Sequence, residues 1–129
     1  MSASILLIED NEQNRYLATF LLERHGHRVV AAPEGPSGLA LARSGGFDLV
    51  LLDIQLPGMD GYAVARALRA DPATHDLPIV AVTSHAMAGD RENALAAGCD
   101  GYLEKPIDPD SFVADVTAHL RPGRARQPA

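Results

Sequence analysis

Short apolar runs alternate with amphipathic stretches along the whole chain. The apolar runs cover residues 4–8, 28–32, 49–52, 77–82 and 101–103, and we predict a strand at each. The run at residues 49–52 is too short for a helix and lacks polar alternation, which is typical of a strand buried on both faces of a parallel sheet. The spacing of apolar positions between the runs predicts helices over residues 12–25, 37–43, 62–70 and 87–97, and a closing helix that opens at residues 107–109 and runs through Leu120.

This order of elements predicts the fold class. Five strand-helix units connected by right-handed crossovers give a five-stranded parallel sheet with helices on both faces, which is a doubly wound α/β fold. The chain has 129 residues, of which 47% are hydrophobic, enough to fill one ordinary core. We therefore expect a single domain.

Composition narrows the classes of function. The net charge of −6 argues against nucleic-acid binding, and the one basic group, Arg121, Arg124 and Arg126, lies in a Pro- and Gly-containing tail. The apolar runs are far shorter than the roughly 20 residues that cross a bilayer, so no membrane insertion is expected. A single cysteine, Cys99, and an N-terminus without the pattern of a signal peptide predict a cytoplasmic protein.

Chemically active side chains follow four of the five predicted strands. Asp53 ends the central apolar run just before Leu56-Pro57-Gly58, residues that end a strand. The carboxyl ends of parallel strands meet at one edge of the sheet, so all of these side chains should converge there. They are Glu9 and Asp10 after the first strand, Asp53 after the third, Thr83 after the fourth and Lys105 after the fifth.

Taken singly, each of these residues has an ordinary structural interpretation as a loop cap, a helix cap or a solvated charge. Together, three carboxylates at one place repel one another unless a cation neutralises them. Oxygen ligands select a hard ion, Mg²⁺ or Mn²⁺. Asp53 stands alone at its strand end and is the candidate nucleophile towards a phosphoryl group, while Lys105 and Thr83 would contact phosphoryl oxygens.

Two other motifs are weak evidence for a ligand site. His25 and His27 are close in sequence, but no further ligand follows at metal-binding spacing, so a surface loop is the favoured interpretation. Gly35 and Gly38 do not complete a dinucleotide-binding fingerprint, because the third glycine is missing.

The polar motifs resemble the signature of the receiver domains of two-component response regulators, in the CheY-like superfamily. The resemblance rests on residues 9–11, on residues 53–61 (Asp-Ile-Gln-Leu-Pro-Gly-Met-Asp-Gly), on Thr83-Ser84 and on Lys105-Pro106. It implies a flavodoxin-like (βα)₅ fold over residues 1–121, followed by a short flexible tail over residues 122–129. It also implies a phosphoacceptor that assists its own phosphorylation and dephosphorylation, without an output enzyme.

The resemblance assigns roles to individual residues. Asp53 would accept a phosphoryl group from a phosphohistidine, and Thr83 with Tyr102 would form a conformational switch. The Lys105–Pro106 bond would be cis. Mg²⁺ would be bound by Glu9, Asp10, Asp53 and the backbone carbonyl of Gln55.

Two features depart from the commonest pattern of the family. Glu9 replaces a more frequent Asp, which would shift metal contact towards water mediation. Gln55 and His85 each lie two positions beyond a key residue and would modulate the rate of dephosphorylation.

The same resemblance implies partners. A sensor histidine kinase or a histidine phosphotransfer protein would supply the phosphoryl group, and a downstream kinase or adaptor protein would receive the signal. Several stretches resemble single-domain regulators of the DivK kind. A receiver module of a hybrid-kinase phosphorelay, or a phosphate sink, is the alternative within the family.

Two other classes of function compete with the receiver. A phosphohydrolase of the haloacid dehalogenase type needs an acid two positions after its nucleophile, where this chain has Gln55. A degenerate receiver used only for binding would have lost phosphorylation residues that are all present in this chain.

Overall fold

The architecture was determined from a computed structural model, which describes residues 2–84 and 89–120. Within these residues the strands are β1 (Ser4–Ile8), β2 (Arg28–Ala32), β3 (Leu49–Asp53), β4 (Ile79–Thr83) and β5 (Gly101–Glu104). The helices are α1 (Glu12–Arg24), α2 (Gly35–Ser44), α3 (Gly61–Ala70), α4 (Asp90–Ala96) and α5 (Phe112–Thr117). His85 and the tail of residues 122–129 lie outside the described residues.

The five strands form one parallel sheet in the order β2-β1-β3-β4-β5. β3 is central and all of its residues are buried, as its unbroken apolar run predicts. Apolar side chains pack on both faces of the sheet, one set against α2, α3 and α4 and the other against α1 and α5. The predicted doubly wound, flavodoxin-like fold is confirmed.

Several element boundaries differ from the sequence prediction. β4 begins at Ile79 and not at residue 77, because Leu77 N donates to Thr74 O in a turn and Pro78 has no amide hydrogen. α2 begins at Gly35, since Pro36 occupies the first helical turn, where its missing donor costs nothing. α5 is shorter than predicted, and α4 begins at Asp90 directly after Gly89, whose φ is 89°.

No helix among the described residues is long and apolar enough to span a bilayer.

Candidate functional site

Three carboxylates meet at the carboxyl edge of the sheet, the edge formed by the C-terminal ends of the strands. Parallel pairing of Ile8 with Leu52 places the residues that follow β1 beside the end of β3. Glu9 and Asp53 are 4% and 3% exposed, whereas Asp10 is exposed to solvent. One oxygen from each carboxylate lies within 4.8 Å of the others, and we call these three residues the acidic cluster.

Within the described residues, Lys105 is the cation that forms ion pairs with the carboxylates of this cluster. Its Nζ lies 2.8 Å from Oε1 of Glu9 and 3.3 Å from Oδ2 of Asp53. The Lys105 side chain is only 9% exposed. Its position is set by β5, because Lys105 N donates to Thr83 O at 2.7 Å. The Lys105–Pro106 bond is cis.

The electrostatics of the cluster leave an excess of negative charge. The pKa of Glu9 is raised to about 7, mainly by burial and also by the contact with Asp53, while Lys105 acts in the opposite direction. The single positive charge of Lys105 does not neutralise three ionised carboxylates. A set of carboxylate oxygens within 4.8 Å of one another fits a small divalent cation, and the donor set suits Mg²⁺.

Local structure fixes the two acidic strand ends. Gly61 is required at the start of α3, because a Cβ at this position would lie 2.6 Å from Asp53 O and from Ile54 Cα. Asn11 caps α1 immediately after the acidic pair, with its Oδ1 accepting from Asn14 N at 2.9 Å. The loop that follows Asp53 and the loop that carries Glu9 are thus each held by the helix that follows.

Arg15, in α1, donates hydrogen bonds to the backbone of Glu9 and Asp10. Its Nη1 donates to Glu9 O at 3.0 Å and to Asp10 O at 3.4 Å. This contact was not predicted from the sequence, because a basic residue near the start of an amphipathic helix gives no sequence signal of a backbone contact.

Gln55 connects the phosphoacceptor candidate to Thr83. Its backbone N donates to Asp53 Oδ1 at 3.0 Å. Its side-chain Nε2 donates to Thr83 Oγ1 at 2.5 Å, and its Oε1 accepts from Ser84 N at 3.1 Å. The sequence placed Gln55 at the site, but this side-chain bridge between the ends of β3 and β4 was not predicted.

Thr83 and Tyr102 lie on adjacent strands. Thr83 is 1% exposed and ends β4, where it pairs with Glu104, so Tyr102 lies two positions back along β5 opposite Ala81. Tyr102 is half-buried against the apolar cluster on the α2, α3 and α4 face. Burial raises the pKa of its hydroxyl.

The two histidines that were judged unlike metal ligands have structural contacts. His25 Nδ1 lies 2.9 Å from Leu21 O at the end of α1. His27 is buried and its Nδ1 accepts from Ala3 N at 3.1 Å. Both precede β2 and so lie at the edge of the sheet where the strands begin, opposite to the edge that carries the acidic cluster.

The family model described as response regulator receiver domain matches residues 5–117. The polar-differentiation response regulator DivK of Brucella ovis is 38% identical over 120 residues, which is 93% of this chain and 98% of that protein.

Solved structures also resemble this chain over nearly its whole length. Chemotaxis protein CheY4 of Vibrio cholerae superposes with a TM-score of 0.87 at 26% identity, covering 93% of this chain and all of CheY4. The receiver domain of a sensor histidine kinase of Pseudomonas aeruginosa, crystallised with a magnesium ion in its active-site cleft, has a TM-score of 0.84 at 34% identity, covering 92% of this chain and 98% of that domain. This chain therefore belongs to the response regulator receiver domain family of two-component systems.

Proposed function

We propose that Asp53 is the phosphoacceptor of this receiver domain. The observation that carries the proposal is the position of Asp53, buried at the end of the central strand with Oδ2 3.3 Å from the amine of Lys105. A carboxylate oxygen of Asp53 attacks the phosphorus of a phosphohistidine. The new P–O bond forms as the P–N bond breaks, and the electron pair of that bond leaves with the imidazole. The product is an aspartyl phosphate.

Lys105 and the acidic cluster have distinct roles in this step. Lys105 gives up part of its contact with Asp53 and balances the charge of a phosphoryl oxygen. Glu9, Asp10, Asp53 and the backbone carbonyl of Gln55 would hold Mg²⁺, with Mn²⁺ as a substitute. The ion would supply further neutralisation of the phosphoryl charge. The carboxylates of the acidic cluster and the magnesium-containing receiver of the sensor kinase support this assignment.

The signal leaves the site through Thr83 and Tyr102. A phosphoryl group on Asp53 offers the Thr83 hydroxyl a charge-assisted hydrogen bond, worth about 1.5 to 3 kcal/mol. Movement of Thr83 then changes the space available to Tyr102 on the neighbouring strand. The surface of α4, β5 and α5 is the phosphorylation-dependent partner face.

The partners follow from the family. A sensor histidine kinase or a histidine phosphotransfer protein supplies the phosphoryl group, and a downstream kinase or adaptor reads the partner face. The similarity to DivK over nearly the whole chain supports a single-domain regulator, with residues 1–121 as the domain. The similarity to the receiver of a sensor histidine kinase supports the second candidate, a receiver module of a phosphorelay. The cytoplasmic location stays a prediction.

Phosphorylation of the Asp53→Asn variant tests the assignment. The protein is incubated with phosphoramidate and Mg²⁺ and its intact mass is measured. Wild type should gain one phosphoryl group and Asp53→Asn none. Asp60→Asn is the matched control, because an Asn at this position keeps the side-chain oxygen that accepts from Ala63 N at the start of α3. A label retained in Asp53→Asn would overturn the proposal, and multiple turnover of a phosphate ester would favour a phosphohydrolase.

A further inference from the structure

The Gln55 side chain joins two loops at the carboxyl edge with both ends of its amide. The nitrogen end donates to the Thr83 hydroxyl at 2.5 Å, and the oxygen end accepts from the backbone and the hydroxyl of Ser84 at 3.1 and 3.4 Å. Hydrogen bonds at both ends of the amide restrict the conformations of this side chain. The start of the loop after β4 is therefore tied to the loop after β3.

The other end of Gln55 is held at the phosphoacceptor. Its backbone N donates to Asp53 Oδ1 at 3.0 Å, and Ile54 N donates to Val82 O at 3.0 Å. Because the Gln55 backbone is fixed, its side chain cannot follow Thr83 over a large displacement. Movement of the Thr83 hydroxyl towards a phosphoryl group on Asp53 must lengthen or break the hydrogen bonds of the Gln55 amide.

We propose that Gln55 is a positioning residue that latches the Thr83 hydroxyl in the unphosphorylated arrangement, with Ser84 holding the oxygen end of the Gln55 amide in place. The inference rests on the proposed phosphorylation of Asp53 and adds a residue that sets how readily the switch responds. A latch of this kind lowers the population of the switched state, and the apparent affinity for a phosphoryl group or its mimic falls by the same fraction. Removing the latch should raise that affinity.

Beryllofluoride binding measures this effect without a partner protein. Wild type and Gln55→Met are titrated with beryllofluoride at saturating Mg²⁺, and the midpoint is taken from the amide chemical shifts of Ser84 and Tyr102. Met has nearly the length of Gln and no hydrogen-bonding amide. Loss of one or two ordinary hydrogen bonds changes an equilibrium by about fivefold to thirtyfold, so we expect a midpoint about tenfold lower. Gln55→Asn, which is too short to reach both partners, should shift it in the same direction.

A double-mutant cycle separates a latch on Thr83 from a general effect of the loop. In the Thr83→Ala background the bond to the hydroxyl is already lost, so Gln55→Met should change the midpoint by about twofold or less. An equal shift in both backgrounds would overturn the latch, as would an unchanged or higher midpoint in Gln55→Met with a normal thermal unfolding midpoint. Failure of wild type itself to bind beryllofluoride would overturn the proposed function instead.

Discussion

Nζ of Lys105 lies 2.8 Å from Oε1 of Glu9, although these residues follow strands that are not neighbours in the sheet. The ion pair spans the carboxyl ends of β3 and β4. The Lys105 amine therefore lies close enough to the acidic cluster to repel a divalent cation bound there.

Replacing Lys105 should therefore separate metal binding from phosphorylation. Lys105→Met removes the positive charge that competes for Glu9 and Asp53, and we expect the Kd for Mg²⁺ to fall by about fivefold or more, since unit charges 4 Å apart interact by about 1 kcal/mol even in water and Mg²⁺ carries two charges. Phosphorylation by phosphoramidate should slow at the same time. Isothermal titration calorimetry and intact mass give the two readouts. Arg91→Met, which changes the charge equally on exposed α4, should leave both unchanged. An unaltered Kd in Lys105→Met would place the metal away from the amine.

Mg²⁺ should stabilise the fold by relieving repulsion within the acidic cluster. Binding to the native state alone adds about 2.7 kcal/mol to the free energy of unfolding when the ion is at 100 times its Kd. Urea unfolding with and without Mg²⁺ measures this gain. Asp10→Ala removes one of the three carboxylates and should abolish most of it. A full gain in Asp10→Ala would show that the ion binds at another place.

His27 should make the protein less stable in mild acid. Burial lowers the pKa of His27, with the positive N-terminus as a smaller cause. Its folded pKa is thus below the unfolded value of about 6.5, so the unfolded state binds more protons as the pH falls through 6.5. Above about pH 6.5 the contribution of His27 to stability is fully present. As the pH falls from about 6.5 to the folded-state pKa of His27, this contribution is progressively lost.

The variant His27→Asn isolates this contribution. Asn retains an acceptor for Ala3 N but does not titrate. Urea unfolding at pH 7.5 and 5.5 should show a smaller loss of stability in His27→Asn than in wild type. Glu9 has a raised pKa and contributes in the opposite direction, since the folded state then binds more protons as the pH falls below about 7. That contribution is the same in both proteins and cancels. Identical pH dependence would contradict a role for His27.

Arg69 should contribute strongly to stability. Its side chain donates to Leu77 O at 2.7 Å, to Gly98 O at 2.9 Å and to Asp100 Oδ2 at 2.8 Å, and thereby joins α3 to the entries of β4 and β5. Arg69→Met leaves these acceptors without the guanidinium, and we expect a loss of about 2 to 4 kcal/mol in urea unfolding. Arg66→Met, on the exposed side of the same helix, should cost less than about 0.5 kcal/mol. Equal losses in the two variants would contradict the role of Arg69.

The strands and the residues at their ends could be predicted because the signals are local. An unbroken apolar run followed by Asp53 and Leu56-Pro57-Gly58 defines both a buried strand and its end, and parallel topology then brings Glu9 and Lys105 to the same edge. The side-chain contacts of Gln55 and Arg69 could not be predicted in this way. Gln55 bonds to Thr83, 28 positions away, and Arg69 bonds to Gly98, 29 positions away. An Arg on a helix has the same sequence pattern whether it is solvated or buried.

The positions of Glu9 and Lys105 along the chain also set the order in which their ion pair can be assembled during synthesis. The ribosome makes all three residues of the acidic cluster, and strands β1 to β4, before it reaches Lys105. A nascent chain can therefore place its carboxylates together well before their amine exists. Under the proposed function, competence for phosphoryl transfer would then arise only after Lys105 has been made.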